Sequence, residues 1–565
     1  MPYRAPVSEY AFVLTHVVGF DAVQASPRFG DCTPDLAHAI LAEAGKLSEG
    51  TLAPLNRIGD KIGAKMENGA VTTPPGFRPA YAQIAQGGYI GMAGAPEYGG
   101  MGLPAALVYC TNEMMGSACL ALQLNPLMAQ GQIEALEHHA SDEMKALYLP
   151  RLISGQWAAT MNLTEPQAGS DVGALRTRAE DLGDGTYAIT GQKIYITWGE
   201  HDLAENICHL VLARLPDGAE GTKGISLFLV PKFIPNADGS LGARNGARAI
   251  SLEHKLGLHG SPTAVMEYDR AIGWMVGAPH KGMAAMFTMM NNARLGVAGQ
   301  GIAIAEAATQ TATEFAMTRR QGRTPMGETA IIDHADVRRM LGQMRAETFA
   351  ARAIALSCAA AMDMAAATGL PEWATRAAFL TPIAKAYGTD IGAEVAHIGV
   401  QVHGGMGVIE ETGAAQFMRD VRVTSIYEGT NGIQALDLVG RKMADGGVAA
   451  MTLLDEMASL ATQDTTDLGA ALGAAINNMR AATQRLLAQD TQDRSGGAVP
   501  YLRAFARVLG AGYHLRAAMA DPARRPLAAF YIQRLLPEHA ALLASAAVGA
   551  AGLYALGPDA LGLTG

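Results

Sequence analysis

Apolar residues change their spacing twice along this chain, near Gln156 and near Gly282, and those two changes restrict the fold more than any single residue does. From Leu36 to about Leu152, segments such as LAHAILAEAGKL and MKALYLPRLI repeat apolar residues at the spacing of one helix face, between glycine and proline turns such as GAPEYGGMGLP (94–104). After Gln156 short β-rich runs take over: WAATMNLTE, GTYAITGQKIYIT, ICHLVLARL, GISLFLVPKF and TAVMEYDRAI, punctuated by Gly, Asp and Pro. From Gly282 the helical spacing returns in long runs, and three antiparallel helices plus one after Gly413 predict a four-helix bundle. Beyond Gly446 an Ala-rich helical stretch, broken at Pro500, Pro522, Pro526 and Pro537, predicts an appended helical domain. The expected organisation is an N-terminal extension (1–35), a helical domain (36–155), a central β domain (156–281), a helical bundle (282–445) and a C-terminal helical extension (446–565), so the chain is mainly α with a central β domain.

Composition removes several functions. A net charge of −10 makes attraction to nucleic acid or an anionic membrane unfavourable, and the charges of the extension nearly cancel. Cys32, Cys110, Cys119, Cys208 and Cys358 are odd in number and lack C-x-x-C spacing, which reads as buried thiols in a reducing compartment, the cytoplasm, with no zinc site. YAFVLTHVV (10–18) is preceded by Glu9 and interrupted by His16, so it reads as a short docking helix, and no membrane span is expected elsewhere. The histidines lack metal spacing.

Single motifs leave alternatives open. MNLTEPQAGSD (161–171) leaves a strand for a Pro, Gly and Ser turn, which is either an exposed ligand loop or a plain hairpin connection. KIYITWGE (193–200) puts Tyr195 and Thr197 two apart on a strand, able to cover a flat ring or to serve as ordinary sheet residues. GGYIGMAG (87–94) and HGGMGV (403–408) do not follow strands of a βαβ unit, so a Rossmann site is unsupported; helix C-capping explains Gly404, Gly405 and Gly407 equally well. Met283, Met286, Phe287, Met289 and Met290 form a stripe that reads first as core. Asn291 and Arg294 lie one helical turn apart. Arg319, Arg320 and Arg323 suit a pyrophosphate or a carboxylate, or are solvated helix-end charge. SIYEGTNGIQ (425–434) sets one carboxylate, Glu428, between a bulky Tyr427 and a bare Gly429.

Read in order, TEPQAGSD, GQKIYIT, KLGLHGSPT, NNARLGV, TRRQGR, QVHGGMG and RDVRVTSIYEGTNGIQ resemble the acyl-CoA dehydrogenase family across about residues 36 to 445. The first segment and the extension resemble the longer bacterial branch of that family, which includes dehydrogenases of 3-(methylthio)propanoyl-CoA. The resemblance implies FAD as cofactor, an acyl-CoA thioester as substrate, an electron-transfer flavoprotein as electron acceptor, and a homodimer or tetramer. It implies that Glu428 is the base that removes the α-proton while the β-hydrogen leaves as hydride to the flavin. Some members place the base just before the residue matching Arg294; that position is Ala293 here, so Glu428 has no rival.

The remaining roles are likewise implied by the resemblance. Leu163, Thr164, Ser170 and Thr197 match flavin contacts, Ser170 also lying toward the CoA side, and Tyr195 stands where many members carry tryptophan against the ring. Arg319, Gln401, Gly404, Gly405, Thr430 and Asn431 match positions that hold FAD. Asn291, Arg294, Ser170 and Gly429 match substrate contacts, with Asn291 in place of the commoner aspartate. The competing readings are a straight-chain acyl-CoA dehydrogenase, an acyl-CoA oxidase, in which oxygen reoxidises the flavin, and a flavin-bearing DNA-protection relative, against which the near-neutral extension and the retained Glu428 both count.

Overall fold

The computed structural model describes residues 3–563. In chain order they form α1 (Val7–His16), α2 (Phe20–Gln24), α3 (Pro34–Leu47), α4 (Ala53–Ile62), the ribbon β1 (Lys65–Glu67) and β2 (Ala70–Thr72), α5 (Phe77–Gln86), α6 (Ala105–His139) and α7 (Asp142–Ile153). The strands β3 (Trp157–Asn162), β4 (Arg178–Asp181), β5 (Tyr187–Thr197), β6 (Asn206–Arg214), β7 (Ile225–Pro231), β8 (Phe233–Pro235), β9 (Leu241–Arg244), β10 (Ala247–Leu252) and β11 (Thr263–Val276) follow. The rest is helical: α8 (Gly282–Thr318), α9 (Ala335–Thr368), α10 (Pro371–His403), α11 (Ala414–Val421), α12 (Asn431–Asp437), α13 (Val448–Gln463), α14 (Asp467–Ala488), α15 (Thr491–Ala520), α16 (Arg525–Phe530), α17 (Glu538–Ala546) and α18 (Ala551–Tyr554). The residues divide into two compact units, Ala39–Gly296 and Pro6–His38 with the chain from Val297 onward.

In the Ala39–Gly296 unit, α6 is buried along almost its whole length and leaves helical geometry at Cys119, just after the Gly116–Ser117 pair, a usual place for a kink. The sheet runs β10-β11-β5-β4-β6-β3, and β7 pairs with both β6 and β11, so the sheet closes back on itself. β3 runs parallel to β6, whereas β5, β7 and β10 are antiparallel to their neighbours. Ile189, Val211, Phe228, Val230, Met266 and Tyr268 fill the space this closure encloses. β6 is buried at every residue from Asn206 to Ala213, which is why its sequence runs apolar without alternation.

The other unit is built on α9 and α10, with α8 crossing α10 closely at glycines. A Cβ added at Gly301 would stand 2.4 Å from the Gly388 carbonyl oxygen, and one at Gly392 would stand 2.5 Å from that of Gly301. α9 is long and apolar enough to cross a membrane, contrary to the sequence reading, yet 78% of its apolar window is buried inside this unit. The fourth bundle position is filled by two short helices, α11 and α12, because between them the chain tightens into a 3-10 turn (Arg422–Ser425) and then turns left-handed at Glu428 and Gly429.

The expected docking helix is α1. Tyr10, Val13 and Leu14 are buried, the Arg352 guanidinium lies 4.9 Å from the Tyr10 ring centroid, and Arg524 grips the Glu9 carboxylate at 2.7 and 3.0 Å. The extension inserts charge as well. Arg507 on α15 donates to both oxygens of Glu347 on α9, to the Tyr387 hydroxyl on α10 and to Glu538 on α17, while Arg503 joins Glu394 on α10 to Glu538. Arg507 and Glu347 are both buried.

Candidate active site

The segment joining α11 to α12 holds Glu428 in an unusual conformation. Glu428 and Gly429 take φ values of 57° and 86°, two left-handed residues in succession. Glycine adopts this region freely, but a glutamate there costs on the order of 1–3 kcal/mol and persists only where its surroundings fix it. Here the surroundings do so. The Gln434 side-chain amide donates to the carbonyls of Glu428 at 3.1 Å and Gly429 at 3.3 Å. The Lys385 ammonium donates at 2.9 Å to the Gly429 carbonyl and at 2.9 Å to Asn431 Oδ1. The Asn431 amide nitrogen faces Asp390 Oδ1 at 2.6 Å, Thr389 Oγ1 at 2.9 Å and the Ala386 carbonyl at 3.2 Å. Thr430 caps α12 by accepting the Ile433 N–H, and the Tyr427 hydroxyl donates to Gln300 Oε1.

Charge around this turn is tuned by burial. Lys385 is fully buried, and an ammonium taken out of water requires acceptors such as the Gly429 carbonyl and Asn431 Oδ1. Burial pushes the Asp390 carboxyl above its usual range, against the Asn431 hydrogen bond and the nearby Arg503 charge. Burial and then the Glu428 charge push the Tyr427 hydroxyl well up. Glu428 itself is half-buried.

In the β domain, Leu163 and Thr164 stand where the chain leaves β3, and β5 pins them. The Ile194 N–H donates to the Thr164 carbonyl at 2.9 Å; the Lys193 ammonium donates to the Leu163 carbonyl at 3.0 Å and to Glu165 at 2.8 Å. Glu165 also accepts the N–H groups of Arg176 and Thr177 and the Thr177 hydroxyl. Burial opposes ionisation of Glu165, but Lys193 and these hydrogen bonds hold its carboxyl down at about 2. Burial lowers the Lys193 ammonium to about 8 against the pull of Glu165, so both partners are charged at neutral pH. Ser170 is exposed at the far end of this loop.

Tyr195 and Thr197 do not follow simple alternation. Ile194 and Tyr195 together oppose Val265, a β-bulge that places the buried Lys193 and Ile196 three residues apart. Tyr195 takes φ 61° and remains 61% exposed, and Thr197 is half-buried. On α8, Arg294 is buried, donates to Asn291 Oδ1 at 3.3 Å and lies 5.9 Å from the Phe287 ring centroid, while Asn291 itself is exposed. Met286, Met289 and Met290 are buried, as the core reading expects.

Arg319 is exposed just beyond α8, with Arg320 and Arg323. Gln401 is exposed in the last turn of α10, and Gly404 ends that helix with φ 58°. A Cβ at Gly405 would meet nothing within 4 Å, so internal packing does not require glycine there. The structure thus brings Glu428, Gly429, Thr430 and Asn431 onto one braced turn, Leu163 and Thr164 beside β5, and Asn291 against Arg294. An exposed aromatic ring and a hydroxyl beside a clamped loop are groups that fit a flavin. The Thr430 side chain is engaged within the turn itself and that of Asn431 with α10. Among the described residues no group of three or more His, Cys, Asp or Glu side chains is arranged to hold a metal.

Sequence reasoning missed Lys193, Glu165, Lys385 and Gln434. The available signal was a lone lysine in an apolar run, Lys193 in GQKIYIT and Lys385 in FLTPIAKAYG, since lysine is buried only when partnered.

Comparison with known proteins identifies the family. The family profiles described as acyl-CoA dehydrogenase N-terminal, middle and C-terminal domains match residues 60–156, 160–271 and 280–444. An acetyl-CoA dehydrogenase C-terminal like profile matches residues 453–557. The 3-methylmercaptopropionyl-CoA dehydrogenase of Ruegeria pomeroyi is 45% identical over 89% of this chain and 88% of its own. A broad-specificity linear acyl-CoA dehydrogenase of Mycobacterium tuberculosis is 34% identical over 87% and 82%. The crystal structure of Caenorhabditis elegans ACDH-11 in complex with C11-CoA shares the fold, with a TM-score of 0.80 at 17% identity over 94% of this chain and 92% of its own. The chain belongs to the acyl-CoA dehydrogenase family of flavin-dependent oxidoreductases.

Proposed function

We propose that this enzyme uses FAD to convert 3-(methylthio)propanoyl-CoA, also called 3-methylmercaptopropionyl-CoA, to its 2,3-enoyl thioester, with Glu428 as catalytic base. The substrate rests on the 45% identity to the Ruegeria pomeroyi enzyme across most of both chains. The role of Glu428 rests on one observation: a carboxylate held in a left-handed conformation by buried side chains that grip its own and the next carbonyl. Left-handed non-glycine residues persist at sites where geometry matters more than local stability.

The α-proton of a thioester is weakly acidic, so its removal requires a carboxylate fixed at reacting distance. Glu428 takes that proton, and Gly429, lacking a side chain, leaves room beside it for the thioester. When bound, FAD accepts the β-hydrogen with its electron pair, so the substrate loses two hydrogens and gains one carbon–carbon double bond. Leu163, Thr164, Ser170, Tyr195 and Thr197 are assigned to holding FAD, with Arg319, Gln401, Gly404, Gly405, Thr430 and Asn431. In Thr430 and Asn431 the contribution comes through the turn they stabilise. Ser170, Asn291, Arg294 and Gly429 are assigned to the acyl-CoA. An electron-transfer flavoprotein is the proposed electron acceptor, and the proposed assembly is a dimer or tetramer.

The test is anaerobic absorbance in the flavin band on adding 3-(methylthio)propanoyl-CoA, butanoyl-CoA or octanoyl-CoA. Preferential bleaching by the thioether substrate is expected, and E428Q should bind flavin and thioester without bleaching. Bleaching by the straight chains alone would discard the thioether substrate, and wild-type bleaching in E428Q would remove Glu428 from its role.

A further inference from the structure

We infer that Gln300 on α8 is a positioning residue for Glu428, acting through Tyr427, a role that rests on the reading of Glu428 as the base. Tyr427 directly precedes Glu428 in the chain. Its N–H donates to the Val423 carbonyl at 3.1 Å, and its hydroxyl donates to Gln300 Oε1, 127 residues away in sequence. The tyrosine is only half-buried, so packing does not enclose the ring, and the hydroxyl contact fixes its far end. Beyond Glu428, the Gln434 amide holds the Glu428 and Gly429 carbonyls at 3.1 and 3.3 Å. The left-handed glutamate is therefore held from both sides, through the side chain before it and the main chain after it.

Two observations single out Gln300 as the anchor. The first is the platform it stands on. Its neighbours Ala298 and Gly301 lie where α8 meets α10: a Cβ at Gly301 would stand 2.4 Å from the Gly388 carbonyl oxygen, and one at Gly388 would stand 3.0 Å from that of Ala298. Backbones in such close contact leave no side chains between them to rearrange, so Gln300 projects from a fixed point. The second is its own chemistry. Gln300 is 2% exposed, and its amide nitrogen has no hydrogen-bond partner among the described residues. A buried, unpartnered N–H is unfavourable, and a leucine of similar size would avoid it. What a leucine cannot do is accept the Tyr427 proton, and that hydrogen bond is what the position gains from an amide. Burial and the Glu428 charge keep the Tyr427 hydroxyl protonated, so it remains a donor when Glu428 is ionised.

The test compares Q300L, Y427F and the double variant as flavin-loaded enzymes, by anaerobic bleaching with the acyl-CoA that bleaches wild type fastest and with the same thioester deuterated at the α-carbon. Each single variant should keep flavin content and KM within about threefold of wild type and bleach about tenfold more slowly. That loss is smaller than the roughly hundredfold of a 1 Å displacement because Gln434 still holds the carbonyls that follow. The α-deuterium isotope effect should rise, since a displaced base slows proton removal relative to the other steps. The double variant should be no slower than either single one, because both changes remove the same hydrogen bond. A merely structural role would lower flavin content with the rate and leave the isotope effect in place; that pattern, additive losses, or a wild-type rate in Y427F would overturn the assignment. If Q300L does not fold, Y427F removes only the hydroxyl and carries the test alone. E428Q separates this role from the reading beneath it. An E428Q that does not bleach, beside Q300L and Y427F at the wild-type rate, would overturn the role of Gln300 and leave the base. Wild-type bleaching in E428Q, or wild-type protein inert to every acyl-CoA, would dismiss the base and this role with it.

Discussion

At the scale of the residue, Glu428 exchanges local stability for placement. Replacing it by glycine removes both the carboxylate and the left-handed strain, so E428G should unfold at a higher temperature than wild type, gaining about 1 kcal/mol, while losing flavin reduction. E428Q keeps the strain and should melt like wild type. G429A moves the opposite way: its φ of 86° disfavours any Cβ, and a loss of roughly 1 kcal/mol is expected in chemical denaturation. The motif YEGT made the glutamate legible, and the glycine beside it hinted at a turn. Its conformation was not legible, because Gln434, Lys385 and Asn431 impose it through contacts that span up to 46 residues.

At the scale of the element, the β domain depends on buried groups that must keep their charge state. Burial lowers the His201 and His209 imidazoles to about 3, with the Lys232 charge adding to the effect on His201 and the Arg244 charge on His209. Between that value and the unfolded value of 6.5 the unfolded chain binds protons that the native strands do not, so the contribution of each histidine is full above pH 6.5 and declines as the pH falls. The slope approaches about 1.4 kcal/mol per pH unit for each group. Denaturation midpoints at pH 7 and pH 5 should therefore differ clearly, and H209N should flatten the difference. The Lys193–Glu165 pair makes a separate demand: K193M leaves Glu165 buried without its counter-charge, a change that typically costs about 3–5 kcal/mol. The amide of Ile194, which donates to Thr164, should then exchange with deuterium faster. Periodicity located these strands, but it gave no sign of the bulge at Tyr195, because an extra residue in one strand is visible only against its partner.

At the scale of the whole molecule, the helical and β segments and the appended helices were legible from spacing and proline breaks. What joins the extension to the bundle was not, because it is made of pairs such as Glu347 and Arg507, which lie 160 residues apart. R507M should destabilise the protein by about 3–5 kcal/mol, and adding E347Q should recover part of that, in a denaturation cycle of the two single variants and the double. The interlock also bears on the ancestry of long and short chains in such a family. Cutting this protein back to its bundle would expose the sockets of Arg503 and Arg507 and leave Glu347 and Glu394 without their guanidinium partners. Once uncovered these acids would meet water, where a carboxylate needs no partner, so a chain without the helices would chiefly lack cover for the apolar residues beneath them.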